Sequence, residues 1–549
     1  MITNHGGLRL KREIHRLTSE TFDLLVIGGG INGCGILRDA ALRGYRAALV
    51  EKGDFASGAS SKTSKLVHGG LRYLEQMKLG LVFESCRERR TLLSIAPHLV
   101  HPLPFLIPVY KEDARGRAII HAGMILYDML ALFRNVERHR MVSLQDVFKA
   151  EPDLERTGLQ GGAVYYDCRM DDARLCLENV LSATEAGAAA VNYAEVISLI
   201  RSGERAAGAV VKDRLSGRTF EVMARKVINA SGPWLDRITK MSSLKTEPRL
   251  RPTKGVHIIV PGSTRGHALL ISARRDNRVF FVIPYQGYSL VGTTDTFYTG
   301  DPDQVTPSPE DIAYLIEEGR RVLPGAKLDR EHVIASFAGL RPLVAEPGRP
   351  SELSRSHVIY EERSGLLSVA GGKYTTYRQV AEEVVDRIAR GQEMRSRVPC
   401  RTAELPLYGG GLKDPASDMK MICEKAETEY GIGPDTAAHF IRCYGTRYRD
   451  VLNRIQEDEG LRERITPGRP EILAQVRYGV EEEMVVTLSD FLRRRTSLAL
   501  SEANGRETAG RVASLLARYL HWDPRETEHQ IETYLQEMNF PIQAGVPSR

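Results

Sequence analysis

The hydrophobic pattern near the start of the chain predicts a strand, a glycine turn, a helix and a second strand. After Asp23, residues 24–27 form a short apolar run followed by glycines, and residues 32–43 have helical spacing that ends at Gly44. Residues 46–51 resume as a strand. A βαβ order over about 30 residues is typical of a parallel sheet covered by helices, so we expect an α/β, doubly wound first domain.

Later segments return to the same sheet. Two helix-like runs and several strand-like runs fit further parts of it: 174–186, 207–213, 219–224, 226–230, 366–370 and 377–390. We therefore expect a discontinuous domain made of residues 21–247 and 361–390. Residues 70–150 are predicted to form a partly helical insertion within it.

The spacing of hydrophobic residues changes between residues 247 and 361, which separate the two parts of this domain. Three β-rich runs there are separated by Gly, Pro and charged turns: 256–260, 279–283 and 288–292. They predict an antiparallel β substrate domain at 248–360. Proline and glycine mark 391–411 as a linker, and the helical pattern beyond it predicts a C-terminal helical domain at 412–549.

Composition narrows the class of protein. With 549 residues, 42% of them hydrophobic, 27% charged and a net charge of +6, the chain is not disordered, collagen-like, a coiled coil or a multi-span membrane protein. The seven cysteines form no Cys-x-x-Cys pair, so we predict no metal site and no disulfide framework. Basic and acidic residues alternate along the chain, which does not favour nucleic-acid binding. The N-terminus lacks the apolar segment of a secretory signal, and this predicts a cytoplasmic protein.

A dinucleotide fingerprint lies between the first strand and the first helix. Gly28, Gly30 and Gly33 match the pattern G-x-G-x-x-G, and Glu51 ends the next strand. The glycines permit a tight turn, close approach to a pyrophosphate and close helix packing, while the acid accepts a hydrogen bond from a ribose hydroxyl. The motif predicts FAD or NAD, and it does not choose between them.

A polar, glycine-rich tract after the acid favours the longer cofactor. Residues 59–73 can hydrogen-bond an extended ligand beyond its pyrophosphate, and two later strand-to-glycine turns supply further contacts. The predicted cofactor residues in these three segments are Ser60, Ser61, Thr63, Ser64, Gly232, Gly372, Thr375 and Thr376.

Five sequence blocks together resemble the FAD-dependent sn-glycerol-3-phosphate dehydrogenase family, within the flavoproteins that are similar to D-amino-acid oxidase. The blocks are residues 26–33, 64–75, 292–295, 339–343 and 371–378. The resemblance implies an FAD-binding fold, bound FAD, and oxidation of glycerol 3-phosphate to dihydroxyacetone phosphate. It also implies electron transfer to a quinone by an enzyme that sits peripherally on the cytoplasmic face of the membrane. We expect a homodimer as one assembly.

Cations are the residues expected to hold the substrate phosphate. Arg72, Arg341 and Arg355 each offer a planar, permanently charged guanidinium that matches phosphate oxygens. Arg341 stands between a glycine and a proline, which suggests a turn that aims it at a ligand. Tyr73, next to Arg72 in the same block, is assigned to the substrate site with them.

Two histidines are candidates for the base that takes the hydroxyl proton. His68 is the first choice, by similarity to the histidine of this loop in related glycerophosphate oxidases and because imidazole titrates near neutral pH. His257 alternates away from its apolar strand neighbours and is the second. Lys373 follows two glycines and precedes a helix, so its ammonium is expected to bind substrate oxygen or to offset charge on reduced flavin.

Several alternatives stay open at this stage. An oxidase that passes electrons to oxygen and makes hydrogen peroxide shares every motif above, and a non-catalytic flavin-binding protein or an amino-acid oxidase fits fewer of them. Two segments are candidates for membrane contact, residues 8–17 and residues 118–133. An ordinary core helix explains the second segment equally well.

Overall fold

The computed structural model describes residues 12–113, 115–242, 247–350, 353–391, 394, 398–412 and 414–538. Its strands, numbered in chain order, are β1 (Thr21–Ile27), β2 (Ala47–Val50), β3 (Leu66–Val67), β4 (Val100–Tyr110), β5 (Arg140–Val142), β6 (Leu159–Met170), β7 (Ala189–Val191), β8 (Ala194–Ser202), β9 (Arg205–Asp213), β10 (Thr219–Asn229), β11 (Thr253–Pro261), β12 (Ala268–Ser272), β13 (Val279–Tyr285), β14 (Tyr288–Gly292), β15 (Thr296–Phe297), β16 (Ala335–Arg341), β17 (His357–Glu361) and β18 (Leu367–Gly371).

The α-helices are numbered in the same way. They are α1 (Ile14–Ser19), α2 (Ile31–Leu42), α3 (Leu79–Ile95), α4 (Arg117–Leu130), α5 (Leu144–Ala150), α6 (Asp172–Glu185), α7 (Leu235–Ser242), α8 (Pro309–Val322), α9 (Tyr377–Ala389), α10 (Pro415–Tyr430), α11 (Pro434–Tyr444), α12 (Tyr448–Glu457), α13 (Ala474–Glu482), α14 (Leu488–Asp490), α15 (Arg506–Leu520) and α16 (Pro524–Glu537). A short π-helix, Phe491–Arg495, follows α14 directly.

The first sheet is the doubly wound sheet that the early pattern predicted. Its strands run in the order β17-β18-β10-β1-β2-β7, and the pairs β18–β10, β10–β1, β1–β2 and β2–β7 are parallel. Side chains of α2, α6 and α9 pack in one cluster on the sheet, while Leu17 of α1 and Ile238 of α7 belong to another. Cover of this kind explains the continuous burial of Leu24 to Val26 in β1.

One strand of this sheet differs from the prediction. The two predicted strands 219–224 and 226–230 form a single strand, β10, which ends at Asn229. Its first half pairs antiparallel with β9 and its second half pairs parallel with β1. The central position between two partners keeps the strand continuous through the charged residues Arg225 and Lys226.

The second sheet is almost wholly antiparallel and extends beyond the predicted 248–360 segment. Its order is β15-β11-β14-β13-β12-β4-β6-β3, with β16 on β11 and β5 on β6. Strands β3 to β6 come from residues 66–170, and β4 and β5 lie within residues 70–150, where a partly helical insertion was predicted. Prolines at 102, 104 and 108 interrupt the hydrophobic pattern of β4 and hide this long strand. The domain limits themselves stay a prediction.

The part of the chain after residue 411 is helical where the structure describes it. Helices α10 to α13 and α13 to α16 pack into two adjoining hydrophobic clusters. Helix α16 begins after Asp523, whose side chain accepts from the Glu526 amide, with proline at the first helical position. Residues 392–393 and 395–397 of the predicted linker, and residues 539–549, lie outside the described residues. Among the helices that are described, none is long and apolar enough to span a bilayer.

Candidate active site

A cavity of about 620 Å³ lies where the two sheets meet. The carboxyl ends of β1, β2, β10 and β18 open into it on one side, and β11 and β16 line the other side. Open α/β sheets bind their ligands outside the carboxyl ends of the strands. The topology therefore places the candidate site at this cavity.

The three glycine turns that the sequence singled out converge at the cavity. A Cβ built on Gly28 would lie 2.8 Å from the carbonyl oxygen of Ala230, so the first turn touches the second. A Cβ on Gly372 would lie 3.8 Å from Nδ2 of Asn32, at the start of α2. Segments about 200 and 340 residues from the first turn thus reach the same ligand-sized space.

The fingerprint glycines are required by close backbone packing. Gly28 has a φ of +109°, which L side chains rarely adopt. A Cβ on Gly33 would sit 1.9 Å from the carbonyl oxygen of Gly28, so α2 packs directly on the turn. Gly30 precedes α2, and the Oγ of Ser60 accepts a hydrogen bond from the Ile31 amide at 2.9 Å. Close packing brings the helix N-terminus to the cavity wall, where it favours an anionic group.

Glu51 lines the cavity and also fixes the turn. Its two carboxylate oxygens accept from the backbone amides of Gly29 at 2.6 Å and Gly53 at 2.8 Å. Burial raises the pKa of Glu51, although the two amide donors oppose that effect. Each oxygen keeps a second lone pair, so the predicted contact with a ribose hydroxyl is compatible with these bonds.

Most of the predicted cofactor residues line the cavity: Gly28, Gly30, Glu51, Ser60, Thr63, Ser64, Gly232, Gly372 and Thr375. Three others belong to the surrounding frame. Gly33 packs on Gly28, the carbonyl of Ser61 accepts from Nζ of Lys65 at 2.9 Å, and Thr376 donates to the carbonyl of Lys373 at 3.5 Å.

The predicted substrate residues Arg72, Tyr73, Arg341, Arg355 and Lys373 all line the cavity. Arg341 lies at the end of β16 and Arg355 precedes β17. The two guanidinium groups bind opposite oxygens of one buried carboxylate, that of Asp295, at 3.0 and 2.9 Å. Asp295 therefore fixes two arginines that are 14 residues apart in sequence.

The local electrostatics leave this end of the cavity positively charged. Burial would raise the pKa of Asp295, but Arg341 and Arg355 outweigh it and hold the pKa below its usual value. Burial, with the neighbouring charges of Arg355 and Arg72, lowers the pKa of Arg341 to about 10. The arginine is therefore protonated at neutral pH, and the carboxylate neutralises only part of the local positive charge.

Lys373 follows the third glycine turn and faces the same end of the cavity. Its Nζ donates to Oγ of Ser85 at 2.6 Å and lies 4.3 Å from the centre of the Tyr73 ring. Burial is the largest effect on its pKa and, with Arg355 and Arg72 nearby, lowers it to about 7. A bound anion would favour the charged ammonium, so this lysine can couple anion binding to proton uptake.

His68 lies on a loop held from two sides. Its amide donates to Oγ1 of Thr375 at 3.2 Å, and the next amide, of Gly69, donates to the carboxylate of Asp167 at 3.0 Å. Burial, with the charges of Lys373 and Arg72, lowers the pKa of His68 to about 4. The imidazole is therefore neutral at physiological pH and can accept a proton.

His257 lines the opposite wall, on β11. Its Nε2 lies 2.8 Å from Oγ of Ser64, and its ring stacks on Phe337 with centroids 5.0 Å apart. Burial and the charge of Arg341 lower its pKa to about 3. Both candidate bases are thus neutral, and the ring of His257 is fixed by its neighbours.

The sequence assigned no role to Asp295 or Asp167. Asp295 lies in the block 292–295, which carries the family resemblance but does not indicate that this carboxylate pairs with two arginines. Asp167 lies in β6, where no motif marks it, and it accepts hydrogen bonds from the Gly69 amide and from the Tyr127 hydroxyl and pairs with the Arg89 guanidinium. Its position behind the His68 loop emerges only from the fold.

Two family models match this chain. A family model described as "FAD dependent oxidoreductase" matches residues 23–378. A second, described as "C-terminal domain of alpha-glycerophosphate oxidase", matches residues 400–527.

Individual relatives identify the family more narrowly than the two family models do. A glycerol-3-phosphate dehydrogenase of Synechocystis sp. is 40% identical and aligns with 96% of this chain and 98% of its own length. The chain belongs to the FAD-dependent glycerol-3-phosphate dehydrogenase family. An aerobic glycerol-3-phosphate dehydrogenase of Staphylococcus saprophyticus is 38% identical, with 89% of each chain covered. The structure of the Bacillus halodurans glycerol-3-phosphate dehydrogenase, complexed with FAD, matches with a TM-score of 0.81, 32% identity and 98% of each chain covered.

The cofactor of this family member is FAD, and the residues present fit it. The cavity carries a helix N-terminus for the pyrophosphate, a carboxylate for the ribose and two further glycine turns. Close backbone approach at these turns leaves no room for a Cβ at Gly28. Such a cradle suits a long dinucleotide, as the family requires.

Proposed function

We propose that the protein oxidises sn-glycerol 3-phosphate to dihydroxyacetone phosphate, with FAD as the electron acceptor and a membrane quinone as the next one. The observation that supports this proposal is the cationic end of the cavity. Arg72, Arg341, Arg355 and Lys373 face one space beside the neutral His68. A phosphate dianion matches that charge better than an amino acid does.

Each residue has a role in the proposed reaction. FAD would be the two-electron acceptor when bound. The groups that would hold it are the glycine turns, Glu51, Ser60, Thr63, Ser64 and Thr375. Arg341 and Arg355, fixed by Asp295, bind the phosphate, and Arg72 and Tyr73 close the same end. Lys373 holds the reacting oxygen, which favours release of its proton.

His68 takes the hydroxyl proton in this proposal. Its low pKa keeps the imidazole unprotonated, and its loop is fixed by Thr375 and Asp167. The hydroxyl proton moves to the imidazole while the carbon-bound hydrogen leaves with its electron pair, so the alcohol becomes a ketone. His257 is the second candidate, because it lines the opposite wall of the same cavity.

An anaerobic spectral titration tests the substrate. We expect the flavin band of the purified holoenzyme to bleach on addition of sn-glycerol 3-phosphate, and to recover with a water-soluble quinone. Glycerol, which lacks the phosphate, is the matched control and should leave the band unchanged at equal concentration. A flavin that stays oxidised with glycerol 3-phosphate would contradict the proposal.

The electron acceptor has a second candidate, oxygen. The C-terminal match is to a domain named after alpha-glycerophosphate oxidase, so an oxidase reaction is compatible with this chain. Reoxidation of the bleached enzyme with air and with quinone, measured side by side, distinguishes the two. Faster recovery with quinone supports a dehydrogenase, and stoichiometric hydrogen peroxide with faster recovery in air supports an oxidase.

Peripheral membrane contact is proposed at the outer face of α4 and the turn that follows it. Met124 and Tyr127 on one side of the helix are buried in the protein. The other side exposes a row of large apolar residues: Ile119 (59% exposed), Ile125, Met129 (52%), Leu132 and Phe133 (55%). Exposed apolar side chains at helical spacing, with arginines nearby at 134 and 138, suit an anionic bilayer surface.

The structure favours this segment over the N-terminal one. Residues 8–11 of the basic stretch lie outside the described residues. Of the remainder, Arg12 pairs with Asp213 and Leu17 is fully buried, so those side chains pack on the protein.

Cosedimentation with vesicles containing anionic lipid tests the contact. Phe133→Ser with Met129→Ser should reduce the bound fraction severalfold, because each loses the transfer energy of a large apolar side chain. Leu215→Ser, at an exposed leucine elsewhere, is the control. Equal binding by the wild type, the double variant and the control would show that the contact lies on another surface.

The expected homodimer has a separate test. Analytical ultracentrifugation of the same samples measures the oligomeric state.

A further inference from the structure

A buried carboxylate connects the cofactor cavity to the C-terminal helices. We call residues 51–61, which follow β2 directly, the cofactor loop. Glu51, Gly53, Ser57, Gly58 and Ser60 of this loop line the cavity. Asp54, in the middle of the loop, points away from it, and its side chain is 0% exposed.

Two arginines of the C-terminal part bind Asp54. The Oδ2 atom accepts from Nε of Arg494 at 2.5 Å and from Nη1 of Arg495 at 2.8 Å. The Oδ1 atom accepts from Nη2 of Arg495 at 2.9 Å and from Nδ2 of Asn192 at 3.3 Å. Burial alone would raise the pKa of Asp54, but the guanidinium groups outweigh it and keep the carboxyl ionised.

The same arginines are fixed within their own domain. Arg494 donates to Asp490 at 2.7 Å, and Arg495 donates to the backbone carbonyl of Glu483 at 2.7 Å. The side chain of Glu483 binds Nη2 of Arg174, on α6, at 2.8 Å. Three acids and three arginines, all buried, therefore form one cluster of balanced charge across the interface.

The loop itself needs this external support. Ala56 has a φ of +63°, a conformation that costs energy for a residue with a Cβ. Its amide nevertheless donates to the carbonyl of Gly29 at 3.0 Å, inside the fingerprint turn. Two residues earlier, Asp54 is held by the arginines, so the strained segment is tied on one side to the cofactor turn and on the other to the C-terminal helices.

We infer that the C-terminal helical domain acts in FAD binding, through Arg494 and Arg495, which position the cofactor loop by way of Asp54. Removing the charge of Asp54 leaves a buried arginine of the cluster without a partner, which is energetically costly. We expect the cofactor loop, which carries residue 54, to shift in response. Asp54 does not face the cavity, so it is a positioning residue rather than a cofactor ligand. The family matches describe the C-terminal part as a domain without giving it this role.

The test compares FAD release with unfolding in the holoenzyme. On heating, free-FAD fluorescence reports release and far-UV circular dichroism reports unfolding. In Asp54→Asn, which keeps the shape and removes the charge, we expect FAD release well below the unfolding temperature. We also expect FAD to dissociate at least about tenfold faster on dilution at 25 °C.

Arg447→Ala is the matched control. Arg447 pairs with Glu185 of α6 at 2.6 Å across the same interface, at a partly exposed place away from the cofactor loop. We expect wild-type FAD release and wild-type dissociation in this variant. Faster FAD release there, to the same extent as in Asp54→Asn, would show that the interface as a whole is responsible and would overturn the specific role of Asp54.

A milder variant covers the case in which Asp54→Asn does not fold. Arg495→Lys keeps the positive charge but loses the two-pronged contact with Asp54, so FAD release should still precede unfolding. Coincident release and unfolding in every folded variant, with an unchanged dissociation rate, would reduce the cluster to a purely structural contact and overturn the inference.

Discussion

The two ends of the cavity are built in different ways. At the nucleotide end, the fingerprint glycines, Glu51 and Ser60 lie within one stretch, from Gly28 to Ser60, and the carboxylate and the hydroxyl bind backbone amides of the fingerprint turn. At the cationic end, Arg72, Arg341 and Arg355 come from separate segments and act through charged side chains, two of them fixed by Asp295. The fingerprint stretch is therefore a local motif, whereas the cationic end is assembled by the fold.

The difference has a physical origin. Binding a pyrophosphate at a helix N-terminus needs backbone amides, which any short strand-turn-helix segment provides once glycines allow the approach. Binding a phosphate with several cations requires charges that repel one another, and a buried carboxylate must hold them together. Substitutions at the two ends of the cavity should therefore impair the enzyme in different ways: FAD binding at one end and substrate binding at the other.

The largest effect is expected at the nucleotide end. Gly33→Ala places a Cβ 1.9 Å from the carbonyl oxygen of Gly28. Since both atoms are fixed by the backbone, the turn must open, and we expect about 100-fold weaker FAD binding and a colourless protein with no turnover. Visible absorbance of the purified protein measures this. Gly510→Ala, on α15 with open space around it, is the control and should keep its FAD.

The second effect separates the two candidate bases. His68→Asn should slow flavin reduction in single turnover by about 10²–10⁴-fold with little change in substrate affinity, since a general base acts in the transition state. Stopped-flow absorbance at the flavin band measures the rate.

His257→Asn is the matched control for this experiment. It removes a histidine that also lines the cavity but whose Nε2 contacts Ser64. If His257→Asn shows the large loss and His68→Asn does not, the proton acceptor is His257.

A smaller loss is expected at the cationic end. Arg341→Ala should raise KM and lower kcat/KM roughly 10- to 150-fold, because a charged hydrogen bond to phosphate is lost. The decrease corresponds to a loss of about 1.5–3 kcal/mol in transition-state stabilisation. FAD should stay bound, in contrast to Gly33→Ala. Arg274→Ala, at an exposed arginine paired with Glu112, is the control, and equal kinetics in the two variants would remove Arg341 from the site.

The smallest effect is a pH dependence of anion binding. The pKa of Lys373 is about 7, whereas a nearby dianion favours its charged form, so binding takes up a proton above that pH. We expect the dissociation constant of sulfate, which stays a dianion, to rise by up to about tenfold in all between pH 7 and 9, because the arginines still hold the anion when Lys373 is neutral. Lys373→Arg stays charged and should show a flat profile, and a flat wild-type profile would contradict the coupling.

The same shift predicts the direction of a stability change. Between about 7 and its unfolded value of 10.5, the unfolded chain binds one more proton at Lys373 than the folded protein does. The contribution of this lysine to the free energy of unfolding therefore rises with pH across that window.

Much of the fold could be predicted because its signals are local. The apolar run before Gly28, the helix over α2 and the strand before Glu51 each follow from periodicity and glycine placement, and all three are confirmed. Strands β4 and β6 were missed because prolines and mixed polarity hide their period. Their pairing joins residues about 60 apart, and no short-range pattern encodes such a contact.

The sequence by itself determined the kind of cofactor turn, the family and the residue types of the cationic end. These depend on steric and chemical properties that a residue carries with it, such as the missing Cβ of Gly33 or the fixed charge of Arg341. Only the tertiary structure decided which charges are paired, by Asp295, Asp167 and Asp54, and how far burial lowers the pKa values of His68 and Lys373. Pairing and desolvation depend on neighbours that are distant in the chain, so they exist only after the sheets and the C-terminal helices have packed.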